Sequence, residues 1–555
     1  MGDLSLADRL DRWMFWPAVV LIGIGTLLLA VHTVPNPNVT WDEAGQFWMT
    51  QGQAFGTPWG TPPGSLWEGL DLGRHGNILD PVGFTMLLWS WIWLFGSEPS
   101  TLRALPFAFF LGTIVVSFVL GRKGMGLPRT IALSIPAAVL TTYISLQWAT
   151  EIRPYSIELF GVVVAAAGAI WYLHRPSWGA MIGLSSALVF FSIFTRYSFA
   201  LAAGSAMLVV LLVLWRSDRL KQHWKQVVFG FALLAITAVF LIWNLGFFDT
   251  GDQVWDNYGD PIRMRSLTDF ENVRILLQVN FVYGWHKLTG LFLIGGAVAW
   301  VVMRFANNSG LLGGLISSLG ARRDEWLPAW LFVGIYEMLS ATASQMGLAQ
   351  WNSEFRHSIG LISAAVISGL GLLVLARSAI EGFWPALSQR APQWAAGTMK
   401  FLAWTVWVLV LAGLVASTTR IYADFRRTDI ETLGVSVPTK VAAALASEQD
   451  VRWLVDTQLF PSLRYLVEAS GVPLGNLEID EASGFGLYGH NPEKLLAWMR
   501  EANVCLPGRT TAVLVANSAD FNADVYRQVA QDAQATGCVL EVVPLSDVES
   551  MVIVK

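Results

Sequence analysis

The sequence predicts a polytopic α-helical membrane protein of about eleven transmembrane helices, an extra interfacial helix in the first external loop and a C-terminal extracytoplasmic α/β domain. Three observations carry this reading. Of 555 residues, 54% are hydrophobic and only 14% charged, too apolar for a soluble globular chain. Runs long enough to cross a hydrocarbon core of about 30 Å recur along the first three quarters. From about Tyr422 the composition turns to that of a water-soluble domain.

The expected spans lie at residues 14–33, 103–121, 131–147, 157–173, 180–194, 199–215, 227–247, 288–302, 327–344, 359–376 and 401–417. The first is read as a true span rather than a cleaved leader, because no small-residue cleavage site follows it. Residues 81–96 are also apolar but short, and they carry Trp89, Trp91 and Trp93. Indole rings favour the headgroup zone, so this segment is read as an interfacial or re-entrant helix.

Charge then sets the orientation. If 81–96 does not cross, one side receives Arg122, Lys123, Arg129, Arg175, Arg216, Arg219, Lys221, Lys225, Arg304, Arg322, Arg323, Arg377, Arg390 and Lys400. By the positive-inside rule that side is the cytoplasm, which places the N-terminus inside and the C-terminus outside. The chain is thus expected in the inner (cytoplasmic) membrane.

Two divisions follow, 1–421 as the membrane module and 422–555 as the soluble domain. In the latter, strand-like stretches at 451–456, 511–516, 539–543 and 551–554 alternate with helix-like ones at 462–470, 491–502 and 523–536. The pattern suggests a doubly wound sheet, without a Gly-rich phosphate loop. Both cysteines, Cys505 and Cys538, fall here and fit either one disulfide or two buried thiols. Contact with the acceptor, contact with a partner protein and capping of the external cavity all stay open as roles for this domain.

The external side gathers the residues that carry chemistry. The first loop, 34–102, holds Trp41, Asp42, Glu43, Glu68, Asp71, Arg74, His75 and Asp80. Structureless loops of such length are usually functional. The second external loop reads Glu151-Ile152-Arg153-Pro154-Tyr155, and later turns bring Arg196, Arg356 and His357. Adjacent carboxylates such as Asp42 and Glu43 suit a general base, with the second charge raising one of the two pKa values. Guanidinium groups suit a phosphate, which they grip bidentately.

Asp42-Glu43-Ala44, the 81–96 helix, Arg103 leading into the next helix, and Glu151-Ile152-Arg153-Pro154-Tyr155 occur in an order that resembles bacterial relatives of the protein O-mannosyltransferases. That group includes the lipid A aminoarabinose transferases, within the glycosyltransferase C superfamily. The motifs span roughly residues 10 to 215, the remainder following only in general layout. Those relatives commonly end the first loop in His or Lys followed by Pro-Pro, whereas here His75-Gly76-Asn77 precedes Asp80-Pro81.

The resemblance implies transfer of a sugar from a polyprenyl-phosphate donor to a lipid, polysaccharide or protein acceptor at the outer membrane face. On it, Asp42 is the expected base, with Glu43 orienting the acceptor or Asp42. Arg153 leads the expected donor-phosphate group, followed by His75, Arg196 and Arg356. Glu151, Tyr155, Trp41 and Arg74 are expected to line the substrate. No cofactor is assigned outright, and a divalent cation stays open, since Glu151 with Asp42 or Glu43 has oxygens that suit Mg²⁺, Mn²⁺ or Ca²⁺.

Plainer readings stand beside these. Asp42 and Glu43 fit a helix start, Glu151 and Arg153 fit an interfacial salt bridge, and Arg196 fits a snorkelling anchor. Trp41, Trp48, Trp59 and Trp67 suit sugar stacking or packing of the loop on the membrane equally well. A transporter or lipid flippase is the competing class, but internal repeats and midplane polar sites, its usual marks, are not evident. A non-catalytic assembly protein would leave the acidic loop unexplained. The net charge of −5 argues for no particular partner, and nothing points to nucleic acid.

Overall fold

The long apolar runs become helices, and caps and prolines mark their starts. In the computed structural model the described residues are 6–34, 39, 41–54, 57, 61–75, 82–140, 148–244, 286–305, 310–345, 359–390, 451–456, 464–465, 479–482, 510–515, 531, 540–544 and 550–554. Their helices are α1 (Leu6–Thr33), α2 (Trp41–Thr50), α3 (Leu66–His75), α4 (Val82–Phe95), α5 (Pro99–Val119), α6 (Arg129–Leu140) and α7 (Tyr155–His174). They continue as α8 (Trp178–Phe194), α9 (Phe199–Arg216), α10 (Leu220–Asn244), α11 (Lys287–Phe305), α12 (Gly310–Ala321), α13 (Arg323–Gln345) and α14 (Gly360–Arg390).

Among the described residues six stretches are long and apolar enough to cross a membrane: Pro99–Gly124, Tyr155–His174, Phe199–Arg216, Leu220–Trp243, Lys287–Phe305 and Gly360–Phe383. This is a multi-pass membrane protein. Of the other expected spans, α1 has 28 residues and α13 has 23. Residues 401–417 and the second half of 131–147 lie outside the described residues. The 14 residues of α4 reach about 21 Å, less than a hydrocarbon core of about 30 Å.

Contacts group the chain into two units. The first comprises Met1–Ala30, Asn77–Phe84 and Pro106–Tyr422, and α14 is its centre. That helix packs against α6, α7, α11, α12 and α13, and 78% of its most apolar stretch is buried, against 28% for α10 and α11. Lipid offers no hydrophobic drive between helices, so polar ties and small residues matter. Ser363 Oγ donates to Leu159 O (2.8 Å), Tyr172 Oη to Gln226 Oε1 (2.6 Å) and Trp330 Nε1 to Leu293 O (2.9 Å).

Helix α12 was not expected. Its twelve residues fall below the length of a span, yet it lies backbone to backbone on α14, where Gly314 meets Gly382 with no room for a Cβ.

The basic loops share one end of this unit. Arg377 Nη1 donates to Gly126 O (2.8 Å), and Arg322 pairs with Glu325 (3.0 Å) and Glu381 (2.8 Å). Arg219 Nη2 reaches Leu173 O (3.2 Å), and His174 Nε2 lies 3.2 Å from Asp324 O. Here α5 closes in a π-type turn, Leu120–Gly124, followed by Gly126 at φ +65°. Of the turns that the charge rule put on one side, those around residues 126, 174, 219, 322 and 377 therefore meet in space.

The second unit comprises Val31–Gly76, Thr85–Leu105 and Ala423–Lys555. Its strands are β1 (Val451–Asp456), β2 (Ile479–Ala482), β3 (Thr510–Val515), β4 (Leu540–Pro544) and β5 (Ser550–Val554), in the order β2-β1-β3-β5-β4. Strand β1 runs parallel to β2 and β3, with Trp453 opposite Ile479 and Ala512. Strand β5 runs antiparallel to β3 and β4, with Val552 opposite Val513 and Val542. The sheet is mixed rather than doubly wound, because β4 and β5 pair as antiparallel neighbours. Edge strand β2 carries Asp480 and Glu481, charges that discourage edge-to-edge pairing.

Candidate active site

Asp42 occupies the second position of α2, and its side chain, like those of Trp41, Arg74 and His75, lies outside the described residues, as do Arg356 and His357 entirely. What surrounds α2 is well defined. From Glu43 to Thr50 every residue is buried, so the helix is enclosed on all sides and its place is set by packing.

Glu43 is 1% exposed and takes a hydrogen bond from Arg103 Nη2 at 3.0 Å. Gln46 Nε2 donates to Thr85 Oγ1 on α4 (3.0 Å). Helix α3 crosses close by, since Gly69 leaves no room for a Cβ against Met49 O. Its start is a capping box, in which Ser65 N donates to Glu68 Oε2 (2.6 Å) and Glu68 N to Ser65 Oγ (3.3 Å). Glu68 is therefore a helix cap. The turn between α4 and α5 is closed by Gly96 at φ +93°, and Trp91 Nε1 donates to Thr101 O (2.7 Å).

The far side of α2 is held from the C-terminal part of the chain. The Arg464 guanidinium lies 4.0 Å from the Trp48 ring centroid and donates to Thr57 O (3.1 Å) and Thr61 O (3.4 Å). It is 1% exposed. Tyr465 packs edge-on to Phe47 (4.7 Å) and donates to Ser97 O (2.6 Å). Burial raises its phenol well above the usual value, with Glu98 adding to the effect, so it stays a neutral donor. Through these contacts Arg464 and Tyr465 brace the acidic loop.

A buried pair such as Glu43–Arg103 is costly to break, because one charge is then left without its counterion. Arg103→Ala is expected to destabilise the protein by about 3–5 kcal/mol, read as a fall in Tm. Glu43→Gln with Arg103→Met should recover most of that loss. A double variant as unstable as the sum of its singles would sink this account.

The first unit holds the other cluster. Segment 148–155 folds over the start of α7: Ser156 Oγ donates to Trp148 O (2.7 Å), and the Trp148 and Tyr155 rings meet edge-on at 4.6 Å. Arg153 N donates to Glu151 O (2.7 Å), a tight turn that places the Arg153 guanidinium 5.8 Å from the Tyr155 ring centroid. Arg196, from the turn between α8 and α9, sits 5.2 Å from the same centroid. Two of the expected phosphate-binding cations thus share one aromatic ring.

Arg196 is 9% exposed and lies 3.9 Å from Glu158 Oε2, while Ser198 Oγ donates to Glu158 Oε1 (2.5 Å). Sequence reasoning missed Glu158, although an acid near the start of an apolar span was a signal. It missed Ser198, Arg464 and Tyr465 as well. Among the described residues no three His, Cys, Asp or Glu side chains gather as a metal site.

No protein-family model matches the chain, and no curated protein matches it. Solved structures do. Crystal structures of ArnT from Cupriavidus metallidurans, in the apo state and bound to undecaprenyl phosphate, align with TM-scores of 0.50 and 0.51 at 12% and 14% identity. Each alignment covers 96% of this chain and 97% of the other. The likeness is one of fold.

Proposed function

We propose that this chain, folded as ArnT is, is a membrane glycosyltransferase that moves a sugar from a polyprenyl-phosphate donor to an acceptor at the outer face of the cytoplasmic membrane. The observation that carries the reading is the pair of guanidiniums, Arg153 and Arg196, gathered around Tyr155 in a fold whose relative ArnT has been crystallised with undecaprenyl phosphate. A lipid-linked donor suits an enzyme embedded in the bilayer, where nucleotide sugars do not reach the outer face.

In the proposed reaction Asp42 takes the proton of the acceptor hydroxyl as its oxygen bonds to the anomeric carbon. The anomeric carbon–oxygen bond to the phosphate breaks, and its electron pair stays with the phosphate. Arg153 and Arg196 stabilise the charge that grows there, being held in advance by Tyr155 and Glu158. Glu43 acts through position: its pair with Arg103 fixes the helix that carries Asp42. Eleven crossings, with the α/β domain and both clusters extracytoplasmic, complete the topology.

The test is transfer by purified protein in lipid, using a radiolabelled panel of polyprenyl-phosphate sugars and membrane extract as acceptor. Label moving from one donor into acceptor supports the proposal; bound donor with no turnover from any, or donor crossing the bilayer, defeats it. Because the guanidiniums supply the positive charge, EDTA is expected to leave transfer unchanged. Activity lost in EDTA and regained with Mg²⁺ or Mn²⁺ would instead show that a divalent ion takes part in the reaction.

A further inference from the structure

At the end of the helical unit where the basic loops meet, α1, α5 and the start of α6 border an open groove of about 540 Å³ lined by Phe15, Phe118, Arg122, Lys123 and Arg129. Its lining has two chemistries. The half-buried rings of Phe15 and Phe118, centroids 6.1 Å apart, make an apolar floor, and the three cations on the rim are exposed.

The acid that meets the groove is already committed. Asp11 accepts from Arg129 N (3.1 Å) and Thr130 N (2.9 Å), capping α6 from α1, and its carbonyl accepts from Thr130 Oγ1 (3.1 Å). Arg122 is steered by a bond from Nη1 to Leu127 O (3.1 Å). Against the one negative charge of Asp11, the three cations leave the rim with an excess of positive charge among the described side chains. Beside it α1 presents Trp13, 81% exposed, and Trp16, 67% exposed, as an interfacial anchor does.

We infer that this groove binds an anionic phospholipid of the leaflet on that side. The lipid phosphate meets Arg122, Lys123 and Arg129, and the first carbons of an acyl chain lie on Phe15 and Phe118. Charge complementarity selects an anion, and the apolar floor between helices selects one that carries a lipid tail. The site is separate from the Tyr155 cluster and does not depend on the transferase reading.

The protein would be reconstituted in vesicles of equal phosphatidylglycerol and phosphatidylethanolamine, and its retained lipids counted by native mass spectrometry. Wild type is expected to retain phosphatidylglycerol in preference. Replacing Arg122, Lys123 and Arg129 together by Gln should cut that retention by roughly tenfold, whereas Gln at Arg216, Lys221 and Lys225 should leave it near wild type. Lys123→Glu, a change at an exposed side chain, reads the same effect if the triple variant folds poorly. Equal loss from both triple variants, equal retention of the two lipids, or displacement by inorganic phosphate alone would overturn the inference. None of these readouts requires turnover.

Discussion

Asp42→Asn is expected to slow sugar transfer by roughly 10² to 10⁴-fold while donor binding stays close to wild type, which is the signature of a lost general base. Asn keeps the size of the side chain and one acceptor oxygen, so the difference is the ability to take a proton. The packing of α2 argues that the variant folds. The helix is placed by Glu43, Gln46, Phe47 and Trp48, through Arg103, Thr85, Tyr465 and Arg464, rather than by its second residue. Turnover by Asp42→Asn within a few fold of wild type would move the base elsewhere.

The second large effect is expected at the paired guanidiniums. Arg153→Ala and Arg196→Ala should each lower kcat/KM for the lipid-linked donor by roughly 10²-fold, the scale for removing one charged donor from a developing oxyanion. Because both cations lie against one Tyr155 ring, the double variant should lose less than the product of the singles. Lys should rescue neither position, since a point charge has no planar face for the ring and no fork for a phosphate. Full multiplicative loss, or rescue by Lys, would show that the two act independently.

Helices were the legible part of this chain. The expected spans at 157–173, 180–194 and 199–215 match α7, α8 and α9 within about two residues, because uninterrupted apolar runs bounded by Pro154, Ser177 and Arg216 leave little choice. Strand β1 coincides with the expected 451–456 for a similar reason, a run of Val, Trp and Leu between polar flanks. Strand β2 was not legible. Its four residues, Ile-Asp-Glu-Ala, carry two acids and no alternation, and it exists because β1 offers an edge to pair with.

Site residues divide in the same way. Asp42, Glu43 and Arg153 stand out as charges beside apolar runs. Glu158 is hidden within one, four residues into a helix that reads as lipid-facing but is buried. The functional reading of Glu43 also changes with context. Sequence sets the two acids side by side, with Asp42 as the expected base, and the distance to Arg103 then shows Glu43 to be a buried anchor. Arg464 and Tyr465 are ordinary residues in a soluble stretch, and their part in holding the acidic loop follows from tertiary contact alone.

The brace formed by Arg464 has a consequence for the order in which the protein is made. Its hydrogen bond to Thr57 O joins residues 407 positions apart. At ribosomal rates of about 5–20 residues per second, Trp48 and the helix around it wait roughly 20 to 80 s before the guanidinium that covers the indole is synthesised. The acidic loop is thus delivered early and finished late. A nascent chain halted before Arg464 leaves that aromatic face bare, so the enclosure of α2 waits for synthesis to pass that residue.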